Sequence, residues 1–418
     1  MGQVVIVGGG LAGLVAAKRL AKTGNDVTLF ESRPTLGGRV ASRTVDGCRL
    51  DYGFQVLFTG YPAVQAELDI EALDLKRFPP GALSCGKAGR STVVDPRVMP
   101  SKALEMVTSG PVSLRDMLKL YQLSRQVAGR TREDIFAEAD TSTVEWLYDA
   151  GFSQTFIESF ARPFFGGMLL DRSLETSACV SKYLLSVLMT GETGVPSDGM
   201  QAIPDQLTTQ ANNAGAAIET STHVDSIDTE EGVSVQLSDQ TVTADAIVVA
   251  TDPRSAASLT GIESIPTTGK AVVTQYYSHA NEPLDAGGLL MLNEESGAPN
   301  HLVQQSVVAP DQAPPGRHVL SATFLEELDA TDNELAERTE AALARWYPER
   351  HIDFDILATD RLEFAQYRQA PGIHATLPAV QPTEDPVFLA GEITTWSAID
   401  GALASGQKAA EAVENVLN

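Results

Sequence analysis

The chain has 418 residues, 43% of them hydrophobic and 20% charged, with 34 Gly and 22 Pro. That is the composition of a folded protein with roughly two to four domains, which excludes a disordered or collagen-like chain. The 55 acidic residues against 30 basic ones leave a formal net charge of -25, the wrong sign for holding a phosphate backbone, so nucleic acid is not an expected partner. Lysine supplies only 9 of the 30 basic residues. Scattered acid with little lysine suits a protein kept soluble in concentrated salt, where screening weakens self-repulsion, and a halophilic, salt-rich cytoplasm is expected. Cys48, Cys85 and Cys179 form neither a disulfide framework nor a metal pair, as in a reducing compartment. No basic leader with a cleavage site and no run of about 18 apolar residues occurs. A cytoplasmic protein is expected, peripheral to a membrane at most.

Residues 4–7 are a short β-branched apolar run that ends in a glycine turn and passes into the helical pattern Leu14, Ala17, Leu20, Ala21. In this strand–turn–helix unit Gly8 permits the tight turn and Gly10 lets the backbone approach a pyrophosphate. Gly13 lets helix and strand pack closely, while Leu11 and Ala12 present free N–H groups at the positive helix end. Residues 27–30 read as a second strand that ends at Glu31, a carboxylate able to accept both hydroxyls of a ribose, with Ser32 and Arg33 beside it. Glu31 disfavours a 2′-phosphate there. On these residues alone the dinucleotide is NAD or FAD. Residues 34–39 then bring Gly38 and Arg39, with Ser42 beyond, so that glycine admits a second pass of chain beside the pyrophosphate and an arginine neutralises it.

Taken together, residues 4–42 resemble the FAD fingerprint of the flavin-containing amine oxidase superfamily, which includes phytoene and other carotenoid desaturases and protoporphyrinogen oxidases. The resemblance implies that Phe54, Gln55 and Val56, in residues 51–57, pass the flavin ring. It also implies roles for Gly391 and Glu392 after the apolar strand 387–390, and for Asp400, Gly401 and Ala402 at the start of a last helix. Val224 and Ala250, in a stranded block over residues 222–253, match the adenine side. The implied fold class is α/β: a Rossmann-like, glutathione-reductase-like FAD-binding domain, discontinuous over residues 1–75, 190–260 and 355–418. A mixed α+β substrate domain would take residues 76–189 and 261–354.

Residues 101–178 carry a mainly helical pattern, with Leu104, Val107, Leu114, Met117, Leu118 and Tyr121 at three-and-four spacing and a capping box from Ser142 to Glu145. Its polar face has few basic residues for anionic lipid, which favours a solvated helix over a membrane contact. Residues 162–168, Arg-Pro-Phe-Phe-Gly-Gly-Met, are expected to serve core packing slightly more than substrate contact. Residues 270–277 and 301–324 read as strands of a second sheet. No catalytic triad, Walker motif or metal cluster is present and the six histidines are dispersed, so the cofactor must carry the chemistry and the catalytic residues are unknown. The resemblance places Val272 where amine oxidases keep a lysine near the flavin, with Lys270 two residues earlier and most simply a surface lysine. Residues 309–316 and 364–372 look closer to the carotenoid-desaturase side.

The expected function is an FAD-dependent oxidoreductase that removes a hydride from a small or apolar substrate, desaturase-like or amine-oxidase-like, and passes electrons to oxygen, a quinone or another acceptor. Two alternatives stay open: a redox-neutral flavoprotein such as an isomerase, and a non-catalytic prenyl- or lipid-binding protein on the same fold.

Overall fold

The computed structural model describes residues 1–87, 89–94, 112–280, 283–295 and 299–417; Leu104 and Val107 lie outside them. Strand Gln3–Val7 is buried at every position after the first. Alternating Cβ directions send Val4 and Ile6 to one face and Val5 and Val7 to the other, into two separate apolar clusters. Both faces are covered, which is why the strand reads as a continuous apolar run. It is the middle of a five-stranded parallel sheet in the order Ala217–Glu219, Asp26–Phe30, Gln3–Val7, Ala246–Val249, Val387–Leu389. Helices Leu11–Lys22, Ala202–Ala214 and Ile399–Leu417 join the cluster on one face. The antiparallel meander Ser226–Asp228, Val233–Gln236, Thr241–Ala244 covers the other. This is the expected α/β class.

Two close approaches hold the helices in place. A Cβ on Gly13 would stand 2.0 Å from the Gly8 carbonyl oxygen, and one on Gly406 would stand 2.4 Å from that of Ala12. Glycine at both positions lets the first helix lie on its strand and the last helix lie on the first. Leu403, Ala410 and Val413 belong to the buried stripe of the last helix. The two N-termini consequently open on the side where the parallel strands end, the usual ligand side of such sheets.

A second sheet has seven strands in the order Asp355–Tyr367, Gly269–His279, His318–Leu325, His301–Gln304, Leu290–Asn293, Gly81–Gly86, Gly89–Val94. One face, through Val273, Leu302 and Phe324, packs with Leu335, Leu343 and Trp346 of helix Asp332–Trp346. Register pairs Thr274 with Thr323 and Thr323 with His301, which puts these three on the opposite face together with Val272. Strand Asp355–Tyr367, taken from sequence as part of the FAD-binding segments, hydrogen-bonds with Gly269–His279 in this second sheet. The stretch 301–324 is not stranded throughout: a helical turn, Gln305–Val308, and a short 3-10 turn, Pro310–Gln312, separate its two strands. Prolines 310, 314 and 315 lack the N–H that a ladder requires.

Helices Leu114–Val127, Arg132–Phe136, Thr143–Asp149, Arg162–Leu169 and Ala178–Thr190 supply most of the remainder. The capping box from Ser142 to Glu145 forms, and matching boxes join Ser113 to Asp116 and Thr131 to Asp134. Among the described residues no helix is long and apolar enough to cross a membrane.

Candidate functional site

A cavity of about 1350 Å³ lies between the ends of the parallel strands, the helical segment and the free face of the second sheet. It exceeds the roughly 300–1,000 Å³ of an ordinary small-molecule pocket, so there is room for more than one ligand. Its polar wall collects most of the sequence-predicted residues: Gly8, Gly10, Leu11, Ala12, Glu31, Ser32, Arg33, Gly38 and Arg39 from the N-terminal part, and Phe54, Gln55 and Val56 from the next loop. Val224, Ala250, Gly391, Glu392 and Ala402 line it as well. Gly13, Asp400 and Gly401 stand behind the wall. A Cβ on Gly401 would lie 2.0 Å from the Trp396 carbonyl oxygen, and the Asp400 carboxylate accepts from Ala63 N–H at 3.0 Å and from the Tyr183 hydroxyl at 3.2 Å.

The polar wall suits an anionic dinucleotide. Gly10 caps helix Leu11–Lys22 without any side-chain hydrogen bond, and a Cβ added there would meet nothing within 4 Å. Free N–H groups at a positive helix end therefore face open space, the requirement for a phosphate. Glu31 is 6% exposed. Its carboxylate accepts from Gly9 N–H at 2.7 Å and Arg33 N–H at 2.9 Å, which fixes it at the end of the second strand. Arg39 pairs with Glu392 at 2.6 Å and donates to the Ala365 carbonyl at 2.9 Å; the Ser397 hydroxyl donates to Glu392. The Gln55 amide holds the Arg39 and Tyr52 carbonyls, and Phe54 N–H donates to Thr274 of the second sheet.

The other walls are mainly apolar. Phe156, Phe160, Phe164, Phe165, Met168 and Leu169 line the cavity, as do Leu184 and Leu188 of helix Ala178–Thr190 and Val272 of the second sheet. The segment 162–168 thus faces the cavity with most of its side chains, beyond the packing role expected of it, while Arg162 is tied back to the Arg172 and Ser173 carbonyls. Among the described residues the carboxylates on the cavity wall are Glu31, Glu192, Asp225, Asp252 and Glu392, and none belongs to these apolar elements.

Lys270 is not a surface residue. It is 5% exposed, forms an ion pair with Asp171 at 2.9 Å and donates to Thr176 at 2.8 Å. Burial raises the Asp171 carboxyl, but the Ser173 hydroxyl and the Lys270 ammonium outweigh it and hold the group at about 2. The ammonium, itself lowered by burial, ties the helical segment to the second sheet instead of lining the cavity. Val272 occupies the wall there.

Sequence analysis missed His301 and Thr323. Both line the cavity, at 3% and 2% exposure. A histidine opening a strand carries no periodic signal, and its partner lies on another strand, so only the register brings the two side chains to one face.

With this geometry established, comparison with known proteins gives the class. The family model described as flavin containing amine oxidoreductase matches residues 11–414, and the chain belongs to that family. Protoporphyrinogen oxidase 2 of Arabidopsis thaliana is 28% identical over 165 residues, 40% of this chain and 32% of that protein. The 15-cis-phytoene desaturase of Narcissus pseudonarcissus is 47% identical over 64 residues, 15% of this chain and 11% of that protein. The chain thus matches at most about a third of the length of these curated relatives. The crystal structure of an oxidoreductase from Methanosarcina mazei superposes with a TM-score of 0.74 at 19% identity, covering 98% of this chain and 100% of that one, a likeness of fold.

Proposed function

We propose that the protein removes hydrogen from a C–C unit of an apolar substrate, in the manner of a desaturase, and passes the electrons to an external acceptor. The observation that carries this is the composition of the substrate walls: aromatic and aliphatic side chains from the helical segment and Val272 from the second sheet, without a carboxylate to hold an ammonium ion among the described residues of these elements. An amine cation taken there would lose its hydration without a counter-charge, which costs several kcal/mol.

FAD, when bound, supplies the hydride acceptor. The residues proposed to hold it are those of the polar wall. The N–H groups at Leu11 and Ala12 take the pyrophosphate, Glu31 takes the adenosine ribose, and Val224 and Ala250 border the adenine. Arg39 and Glu392 bracket the phosphate and ribityl region, and Phe54 to Val56 lie along the ring. Phe160, Phe164 and Met168 exclude water and orient the substrate. Gly13 and Gly401 act by letting backbone segments close up behind this wall, and Asp400 by fixing the start of the last helix to Ala63 and Tyr183. The two-part division follows the sheets: strands of the parallel sheet for the cofactor, and the second sheet, including Asp355–Tyr367, with the helical segment for the substrate. We place the protein in a salt-rich cytoplasm, on its charge of -25 and scarcity of lysine.

Anaerobic mixing of the yellow protein with unsaturated hydrocarbons, porphyrinogens and amines tests the proposal. Bleaching of the flavin bands by an apolar alkene-forming substrate is expected. Bleaching by amines alone would overturn it.

A further inference from the structure

We propose that His301 and Thr323 form a polar subsite that binds an oxygen atom, a carbonyl or ether oxygen, on an otherwise apolar substrate. This rests on the flavoenzyme reading above and narrows its substrate class.

The tautomer of His301 is fixed by its neighbours. The Asn300 carboxamide oxygen accepts from Arg172 at 3.1 Å, so its nitrogen is the group that donates to the Pro163 carbonyl at 3.0 Å and meets His301 Nδ1 at 3.1 Å. Nδ1 is then an acceptor, and the ring proton sits on Nε2. That N–H is buried, has no partner among the described residues, and belongs to a residue on the cavity wall. The Thr323 hydroxyl is likewise buried without a partner. Thr323 is the direct cross-strand neighbour of His301, a relation that sets Cβ atoms roughly 5 Å apart. Two unpaired polar groups, side by side in an apolar chamber, are what a ligand oxygen would satisfy, since buried donors are otherwise paired.

The surroundings are built around this placement. Gly167 gives the imidazole its space, because a Cβ there would lie 3.1 Å from Nδ1. The ring meets Phe54 edge-on at 5.1 Å between centroids. Burial also lowers the imidazole to about 4, so at neutral pH it is an uncharged donor, suited to a neutral oxygen and unsuited to an anion. A pure hydrocarbon would leave both groups unsatisfied, and sites with buried polar groups reject analogues that cannot pair with them.

The test uses the FAD-loaded protein and two matched probes: methyl nonyl ketone and its isostere in which a methylidene group replaces the oxygen. Binding is read from perturbation of the flavin spectrum and corrected for partition between water and hydrocarbon. The wild type is expected to prefer the ketone by about tenfold, the order of one or two hydrogen bonds. His301→Phe and Thr323→Val are each expected to lose most of that preference while affinity for the hydrocarbon isostere holds, and His301→Gln, which keeps an N–H, to retain part of it. An FAD-loaded wild type without the preference, or variants that keep it, or variants that lose both probes equally, would overturn the inference alone. Failure of the protein to take up FAD would instead defeat the reading beneath it.

Discussion

Arg39 and Glu392 meet at 2.6 Å across the cavity wall and tie the N-terminal glycine-rich segment to the last parallel strand. Glu392 is 5% exposed and is also held by Ser397. The pair closes the polar wall of the cavity from both ends of the chain.

Removing the arginine leaves a buried carboxylate without its counter-charge. Arg39→Ala is expected to weaken FAD binding and to lower stability by about 1–3 kcal/mol, and adding Glu392→Gln to restore part of the stability but not the FAD affinity. Equilibrium dialysis and thermal melts measure both. Undiminished FAD binding in the single variant would remove Arg39 from the site.

Glu31→Ala deletes the acceptor at the end of the second strand. A loss of about 1–3 kcal/mol in FAD affinity is expected, as for hydrogen bonds to a charged group. Affinity equal to that of the wild type would mean the adenosine ribose lies elsewhere.

Lys270→Met breaks the buried pair with Asp171. Stability should fall by about 3 kcal/mol because the partner carboxylate stays buried, while the spectrum and reduction rate of the bound flavin stay as in the wild type. A slowed reduction at unchanged stability would place Lys270 in the chemistry.

Acid sensitivity follows from His301, His374 and Asp171. His301 is held at about 4 by burial, below its ordinary 6.5, so between these values the unfolded chain binds a proton that the folded one refuses. Stability must therefore fall as pH drops from about 6.5 to 4, by about 3 kcal/mol for a shift of this size. Asp171, held at about 2 against an ordinary 3.8, adds a further loss below pH 4, once its carboxylate begins to protonate in the unfolded chain. Desolvation likewise holds His374 at about 4, and it acts over the same range as His301, so denaturant melts of wild type and His301→Gln check the first step, which should be reduced by about half in the variant.

With a formal charge of -25, the folded chain repels itself in dilute buffer. The melting midpoint is expected to rise from dilute to multimolar KCl as screening acts. Equal midpoints throughout would exclude the salt-adapted reading.

Much of the polar wall was legible because it is local. The strand, turn, helix and acid of residues 4–31 lie within one short unit in which Gly8 and Gly13 are dictated by backbone clearances, against the Ala250 carbonyl at 2.7 Å and the Gly8 carbonyl at 2.0 Å. Such constraints leave fixed spacings in the sequence. Asp400 and Gly401 show the limit: their spacing matches a ligand-facing helix start, yet tertiary contacts with Ala63, Tyr183 and Trp396 turn them behind the wall. Prolines and a helical corner likewise interrupt the stretch 301–324, whose apolar alternation alone reads as strand.

By itself, then, the sequence determined the α/β class, the dinucleotide turn and the acid that ends the second strand, since these depend on residues close along the chain. The tertiary structure decided the rest of the site. Whether Lys270 faces solvent, cavity or Asp171, and whether His301 meets Thr323, depends on strand register and on which helix packs over the sheet. Those contacts join residues far apart in sequence, and their energies arise only once burial has removed the water between them.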